Sequence, residues 1–425
     1  MQIESVRGRR VWDSRGRPTV EAEVRLAGGA LGHAIAPAGA STGSGEALDR
    51  RDGGDRFGGR DVRAALAAVE GEIAALLTGR SVEDLAALDA ALVELDGTPQ
   101  KRRLGGNALV AVSMALAHAR AAGRGLPLWA SLAEAEPAFL PLPEIQIFGG
   151  GAHAGGRIDV QDFMAVAVGA RGYAEALEMT AEVYRAAGEL MRRGGRLQGV
   201  ADEGGWWPDF RDDREGLELT VAAIEAAGLS PGRDMALSLD LAASEFGRDG
   251  RYRVGGRDLD AAGWAETLLG WLDAFPVVSV EDPLAEDDPQ ALAAFTAEAA
   301  RRGVQVVGDD ALVTSAERVR RLAGLGACDA LLVKPNQAGT LSEARAALEA
   351  ARAAGWGAIV SARSGESEDV TVVHLAVGWG VAQLKVGAFA RSERMAKWNE
   401  GLRIAEALGH DRLPPREAFP WGRAG

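Results

Sequence analysis

The sequence predicts an α/β barrel of the TIM type with an N-terminal α+β capping domain. Three observations carry this. First, apolar runs of strand length end in polar side chains at Asp240, Glu281, Asp309, Lys334, Ser361 and Lys385; a buried parallel strand reads as a continuous apolar run. Second, after the first step these ends are 24 to 28 residues apart, the repeat of one strand, one helix and two short loops. Third, alanine- and arginine-rich helical segments alternate with the runs, and strands alternating with helices give a parallel sheet. A polar side chain just past such a strand lies at the C-terminal mouth, where α/β barrels keep their chemistry.

At 425 residues the chain has room for a barrel and a companion domain. Its apolar fraction of 47% is that of a globular protein, and no apolar run reaches membrane-span length. The N-terminus carries no signal-peptide pattern, so a cytoplasmic location is the expectation. The lone Cys328 excludes an intrachain disulfide framework. A net charge of −14 argues against nucleic acid as a partner. Of 47 basic residues only Lys101, Lys334, Lys385 and Lys397 are lysine. In so arginine-biased a chain, lysine should persist where an ammonium able to lose its proton is needed, because arginine is never deprotonated in a protein.

In chain order, residues 1–26 alternate as strands joined at Asp13–Pro18. Gly32–Glu46 reads as a glycine- and serine-rich loop. Helical periodicity follows over Val62–Leu77, Val82–Leu95 (behind a Ser81 cap) and Asn107–Ala122. The proline-bearing stretch Glu136–Pro143 is the junction, giving a capping domain over 1–135 and a barrel over 136–425. Helices are then expected over Tyr173–Arg193, Glu215–Ala227, Pro289–Arg302, Ser315–Leu325, Leu341–Ala354 and Asp369–Val377.

Asp240, Glu281 and Asp309 close three strand runs and converge on the mouth of a closed barrel. Three oxygen ligands without histidine or cysteine suit Mg²⁺; each alone also fits a helix N-cap. Lys334 and Lys385 face the same mouth. A lysine beside divalent cations and a second ammonium is pushed toward its neutral form, which suits a general base.

The segments DSRGRPTVEAEV (13–24), GASTG (39–43), GGGAHAGG (149–156), QDFM (161–164), ADEGG (201–205), LDLAASEF (239–246), VEDP (280–283), GDDALVTS (308–315), LLVKPNQAGT (331–340), SARSGESED (361–369) and LKVGAFARSERMAKWN (384–399) together resemble enolase, in order and without a large gap. The resemblance implies a Mg²⁺-dependent lyase interconverting 2-phosphoglycerate and phosphoenolpyruvate. It implies two ions per site, the first held by Asp240, Glu281 and Asp309 and the second met by Ser41 on a mobile loop. Lys334 matches the base, Lys385 the lysine that binds the substrate carboxylate, and Glu203 the acid that assists the leaving hydroxide. Asp162 matches a carboxylate that assists the acid. Arg363 and Ser364 match phosphate contacts, and His153 a loop histidine of the closed site. A homodimer or higher homo-oligomer is implied as well.

Three departures stand out. Ala362 replaces the family's substrate-contacting histidine, Asp162 a glutamate, and Gly149 an asparagine; Trp206 and Trp207 add bulk expected near the mouth. The loss at 362 predicts a void able to admit a bulkier phosphorus group. A second reading is therefore an enolase-like enzyme of phosphonate biosynthesis, resembling carboxyphosphonoenolpyruvate synthase, acting on a phosphonate carboxylic acid. A third, a non-catalytic binder, predicts decay among the lysines and carboxylates, which are all present.

Overall fold

The computed structural model describes residues 1–423. Strands β1 (Ile3–Trp12), β2 (Pro18–Leu26) and β3 (Leu31–Ile35) form an antiparallel sheet. The long helix Gly106–Gly123 packs across β2 and β3. The expected loop at Gly32–Glu46 thus begins one element later, because Leu31–Ile35 pairs with β2. Gly32 allows the helix to approach: a Cβ there would lie 2.1 Å from the Ala119 backbone nitrogen. The helix Leu85–Asp96 is capped by Asp84, whose carboxylate accepts from Ala87 N at 2.9 Å, and not by Ser81.

The remaining chain supplies β4 (Leu142–Gly149), β5 (Asp162–Val166), β6 (Ala236–Asp240), a three-stranded meander of β7 (Gly247–Arg248), β8 (Arg251–Val254) and β9 (Arg257–Asp260), then β10 (Val277–Glu281), β11 (Gln305–Gly308), β12 (Ala330–Val333), β13 (Gly357–Ser361) and β14 (Gln383–Ala388). Eight of these close a barrel in the order β10-β11-β12-β13-β14-β4-β5-β6. The expectation of an all-parallel ring fails at one strand: β5 runs antiparallel to both β4 and β6. Residues 150–161 between β4 and β5 contain only a short 3₁₀ turn, and without a crossover helix consecutive strands must reverse direction. The reversal places Asp162 at the mouth from the start of its strand, in register with Asp240.

Below the mouth the barrel interior is divided. Val307, Ala330, Leu332 and Ile359 form a small apolar cluster. On the other side Ser238 donates to Glu144 at 3.3 Å, Ser279 to Gln305 at 3.2 Å, and Gln383 to Gln305 at 3.1 Å. Burial pushes the Glu144 carboxyl up to about 7. Helices Ala261–Ala274 and Ser392–Leu408 join those anticipated from sequence. Among the described residues no helix is long and apolar enough to cross a membrane.

The small domain is tied to the barrel by polar contacts. Lys101 Nζ lies 2.6 Å from Glu343, Ser113 Oγ accepts from Leu341 N at 2.9 Å, and Asp369 accepts from Ile35 N at 2.8 Å. His118, on the long helix, meets Thr371 Oγ1 at 2.9 Å across the same interface. Its pKa is lowered to about 4, chiefly by burial; the Asp369 charge opposes this, while His374 and His33 add to it. A folded-state pKa below the unfolded value means that the unfolded chain binds the proton first. The stability held by neutral His118 is therefore complete above the ordinary histidine range and is lost as pH falls toward 4. Urea unfolding should show wild type losing about 2 kcal/mol more than His118→Gln between pH 7 and pH 5. Equal losses would contradict a buried neutral histidine.

Candidate active site

The ends of the barrel strands converge on a narrow cavity of about 20 Å³. Its lining includes Ser41, His153, Asp162, Glu203, Asp240, Lys334, Arg363, Ser364 and Lys385, with Gln161 and Ala362 between them. Lys385 Nζ, from β14, is the hub: it lies 2.7 Å from Glu281 Oε2, 2.8 Å from Asp240 Oδ2 and 3.4 Å from Asp162 Oδ2. Burial alone would lower its pKa, but these three carboxylates more than offset that and hold it well above its ordinary value.

Lys334, just past β12, pairs with Asp309, whose other oxygen accepts from Gln337 Nε2 at 2.7 Å. Among these protein groups the expected push of Lys334 toward neutrality does not hold. Burial favours it, yet Asp309 prevails and the net shift is upward. A divalent cation on Asp309 would offset the dominant opposing charge and shift Lys334 toward its neutral form.

The expected carboxylate platform is arranged around the two lysines, with Asp240 and Glu281 on Lys385 and Asp309 on Lys334. Among the described residues Asp309 groups with Asp282 and Asp310, ligand atoms within 4.8 Å of one another, while Asp240 and Glu281 lie outside that grouping. Asp282 has a left-handed backbone (φ 41°), and its carboxylate accepts from Asp309 N at 2.9 Å and Asp310 N at 2.8 Å. Burial first, then the neighbouring carboxylates, push Asp282 up to about 8 and Asp310 up to about 9. Asp282 thus shapes the turn that presents Asp309.

The donor set fits Mg²⁺. It is all oxygen, and Glu281 Oε1 is buried without a hydrogen-bond partner. Burial, then the nearby Asp240, hold the Glu281 carboxyl well above its ordinary pKa, so added positive charge would be stabilising here.

On the opposite wall His153 Nδ1 lies 2.9 Å from Asp162 Oδ1, and its Nε2 lies 3.6 Å from Glu203 and 3.5 Å from Ser364 Oγ. Burial opposes a charge on this ring, but Asp162 and Glu203 raise its pKa to about 9. Gln146 Nε2 also donates to Asp162, and its Oε1 accepts from Gly205 N at 2.7 Å. Gln146 occupies the space beside Gly149, where a Cβ would stand 3.0 Å from its Nε2 and 2.8 Å from Ala201 Cβ. Asp162 and Gly149, two of the three departures, therefore share one corner filled by Gln146. Ala362 faces the cavity. Trp206 does not: it stacks on Tyr184 with centroids 4.8 Å apart and donates to the Tyr184 carbonyl at 2.8 Å, so its bulk belongs to the helix Tyr173–Arg193 and not to the mouth.

Residues 3–132 match the family model described as the enolase N-terminal domain, and residues 137–413 match the enolase C-terminal TIM barrel domain. The chain belongs to the enolase family. It is accordingly an enolase-family lyase, in a fold that unites an eight-stranded closed barrel with a small N-terminal sheet domain.

Sequence reasoning passed over three polar residues of this enolase-type site. Gln161 donates to Asp240 at 3.2 Å, Gln337 bridges to Asp309, and Glu46 pairs with Arg363. All three lie within the segments that carried the resemblance or at their edge, which was the available signal. Mg²⁺ in hundredfold excess over its dissociation constant should stabilise the protein by about 2.7 kcal/mol. Thermal unfolding with and without Mg²⁺ checks this. Glu281→Gln should abolish most of the gain, and an undiminished gain would place the ion elsewhere.

Proposed function

We propose that the protein is a Mg²⁺-dependent lyase that removes the proton beside a substrate carboxylate, interconverting 2-phosphoglycerate and phosphoenolpyruvate. The observation that carries this reading is the pairing of two buried lysines with the carboxylates of one barrel mouth, with Glu203 in the same cavity. Asp240, Glu281 and Asp309 would hold one Mg²⁺, and Ser41 would meet a second. Bound Mg²⁺ would supply the positive charge that makes a second negative charge on the substrate carboxylate tolerable.

The protein groups do the rest. Lys334 Nζ accepts the proton beside the carboxylate once the Asp309 charge is shared with a cation. Lys385, which still faces Asp162 when Asp240 and Glu281 share a cation, holds the substrate carboxylate. Glu203 delivers a proton to the departing hydroxide. Arg363 supplies the planar fork suited to a phosphorus oxyanion, with Ser364 beside it. His153 reaches the same region from its loop and is held charged by Asp162 and Glu203.

One observation favours a second reading, in which the phosphorus group differs and the substrate is a phosphonate carboxylic acid of the enolpyruvyl type. Ala362 leaves the substrate-recognition wall without the family's histidine, while Gln146 fills the corner shared by Asp162 and Gly149. Losing one charge-assisted contact costs about 1.5–3 kcal/mol, or roughly tenfold to a hundredfold in rate or binding.

Purified protein with Mg²⁺ and 2-phosphoglycerate should develop the enolpyruvate chromophore. Rates lower than an ordinary enolase's by many orders of magnitude would remove the first reading and leave the second. Under the second, Ala362→His should raise 2-phosphoglycerate turnover at least tenfold; no change would refute the role given to position 362.

A further inference from the structure

The glycine-rich segment that bears Ser41 ends in a buried glutamate, Glu46, whose side chain does not line the cavity. Its carboxylate receives four donors from three different elements. Gly43 N of its own loop donates to Oε1 at 3.0 Å. Arg363, after β13, donates from Nη2 to Oε1 at 3.2 Å and from Nη1 to Oε2 at 3.0 Å, a two-pronged pair. Gln337, in the short helix after β12, donates to Oε1 at 3.3 Å while donating to Asp309 at 2.7 Å.

The network extends to the base. Thr314 Oγ1 donates to Gln337 Oε1 at 2.7 Å and accepts from Lys334 N at 2.9 Å. Arg363 is fixed further by Asn336 Oδ1 at 3.0 Å and by the Ser41 carbonyl, also at 3.0 Å. Burial opposes the charge on Arg363, but Glu46 and then Asp309 more than offset it.

The loop backbone is shaped for this contact. A Cβ on Gly39 would lie 2.0 Å from Arg363 Nη2, and one on Gly43 would lie 2.5 Å from Val313 Cγ1. Val313 and Thr314 both have left-handed backbones, with φ of 42° and 51°. Such conformations are costly for β-branched residues and persist only where their surroundings hold them. Glu46, through Gln337 and Thr314, contributes to that restraint.

We propose that Glu46 is a positioning residue that latches the Ser41 loop over the site and simultaneously aims Arg363 and, through Gln337, the Asp309–Lys334 pair. Because one carboxylate serves all three, loop closure and the alignment of the phosphorus-binding and proton-removing groups form a single event. No water or flexible chain need mediate the coupling: every link is a direct hydrogen bond, and all but the half-buried one to the Ser41 carbonyl join buried groups, the kind whose loss is most costly.

The kinetic part of this inference rests on the proposed lyase reaction; the loop part does not. Hydrogen–deuterium exchange of residues 39–46 in the full-length, ligand-free protein reads the latch directly. Glu46→Gln should exchange there at least tenfold faster than wild type. With Mg²⁺ and 2-phosphoglycerate the same variant should lose at least tenfold in kcat with KM within about threefold, because the latch acts after substrate has entered. Glu46→Asp keeps the charge opposite Arg363 but is one methylene shorter, so it should fall between wild type and Glu46→Gln in both readings. It also serves alone, with faster loop exchange than wild type expected, should Glu46→Gln fail to fold. Unchanged loop exchange in the folded variants would overturn the latch, as would a rise in KM with kcat intact. A wild-type protein inert toward 2-phosphoglycerate would remove the substrate assignment while the exchange measurement still decides on Glu46.

Discussion

The site depends on two ammonium groups placed among carboxylates that would otherwise repel one another. Lys385 lies within 3.4 Å of oxygens from Asp162, Asp240 and Glu281, and Lys334 pairs with Asp309. Removing one partner from a buried ionic cluster typically costs about 3–5 kcal/mol, because the remaining charge is left uncompensated. The same arrangement is chemically purposeful. A cation held by Asp240, Glu281 and Asp309, as proposed, would compete with both lysines for them, taking the one carboxylate partner of Lys334 while leaving Lys385 the Asp162 carboxylate. On the proposed function, metal binding would thus set the division of labour between the lysines.

The reversed strand β5 makes that cluster possible. A parallel β5 entering from the bottom would present its C-terminal residues at the mouth. Running upside down, it presents Asp162 instead, beside Asp240, and brings Gln161 within hydrogen-bond reach of the same carboxylate. The loop between β4 and β5 then carries His153 back across Asp162. One missing crossover helix therefore sets the identity of half of one wall.

The barrel and its polar strand ends were legible because a parallel strand buried on both sides leaves a continuous apolar signal and its polar terminus interrupts it. In β4 Glu144 and Gln146 break that signal, while in β5 the apolar run 163–168 follows its polar residue, Asp162, and does not precede it; both strands escaped a reading by apolar runs with polar ends. The strand Leu31–Ile35 was hidden among glycines for a similar local reason. Lys334, Lys385 and the carboxylates could be named from residue type and place. Their partition between two lysines could not, nor could the reach of Glu46 to Arg363, because those depend on tertiary contacts between residues 25 to 317 positions apart. Trp206 shows the converse error, since adjacency to a motif in sequence placed at the mouth a side chain that packs on a helix.

The departures from the enolase resemblance are unevenly distributed. Both lysines and the three carboxylates stand as the resemblance implies, whereas Ala362, Asp162 and Gly149 depart from it, with Gln146 packed against the last two. If the two sides are functionally separable, proton removal should proceed without completed elimination. The direct measurement is NMR of 2-phosphoglycerate held with Mg²⁺ in D₂O and Glu203→Gln protein. Loss of the C2 proton signal without formation of phosphoenolpyruvate is expected, and Lys334→Ala should abolish that exchange. Exchange that survives Lys334→Ala at the wild-type rate would contradict the role assigned to the lysine at the end of β12.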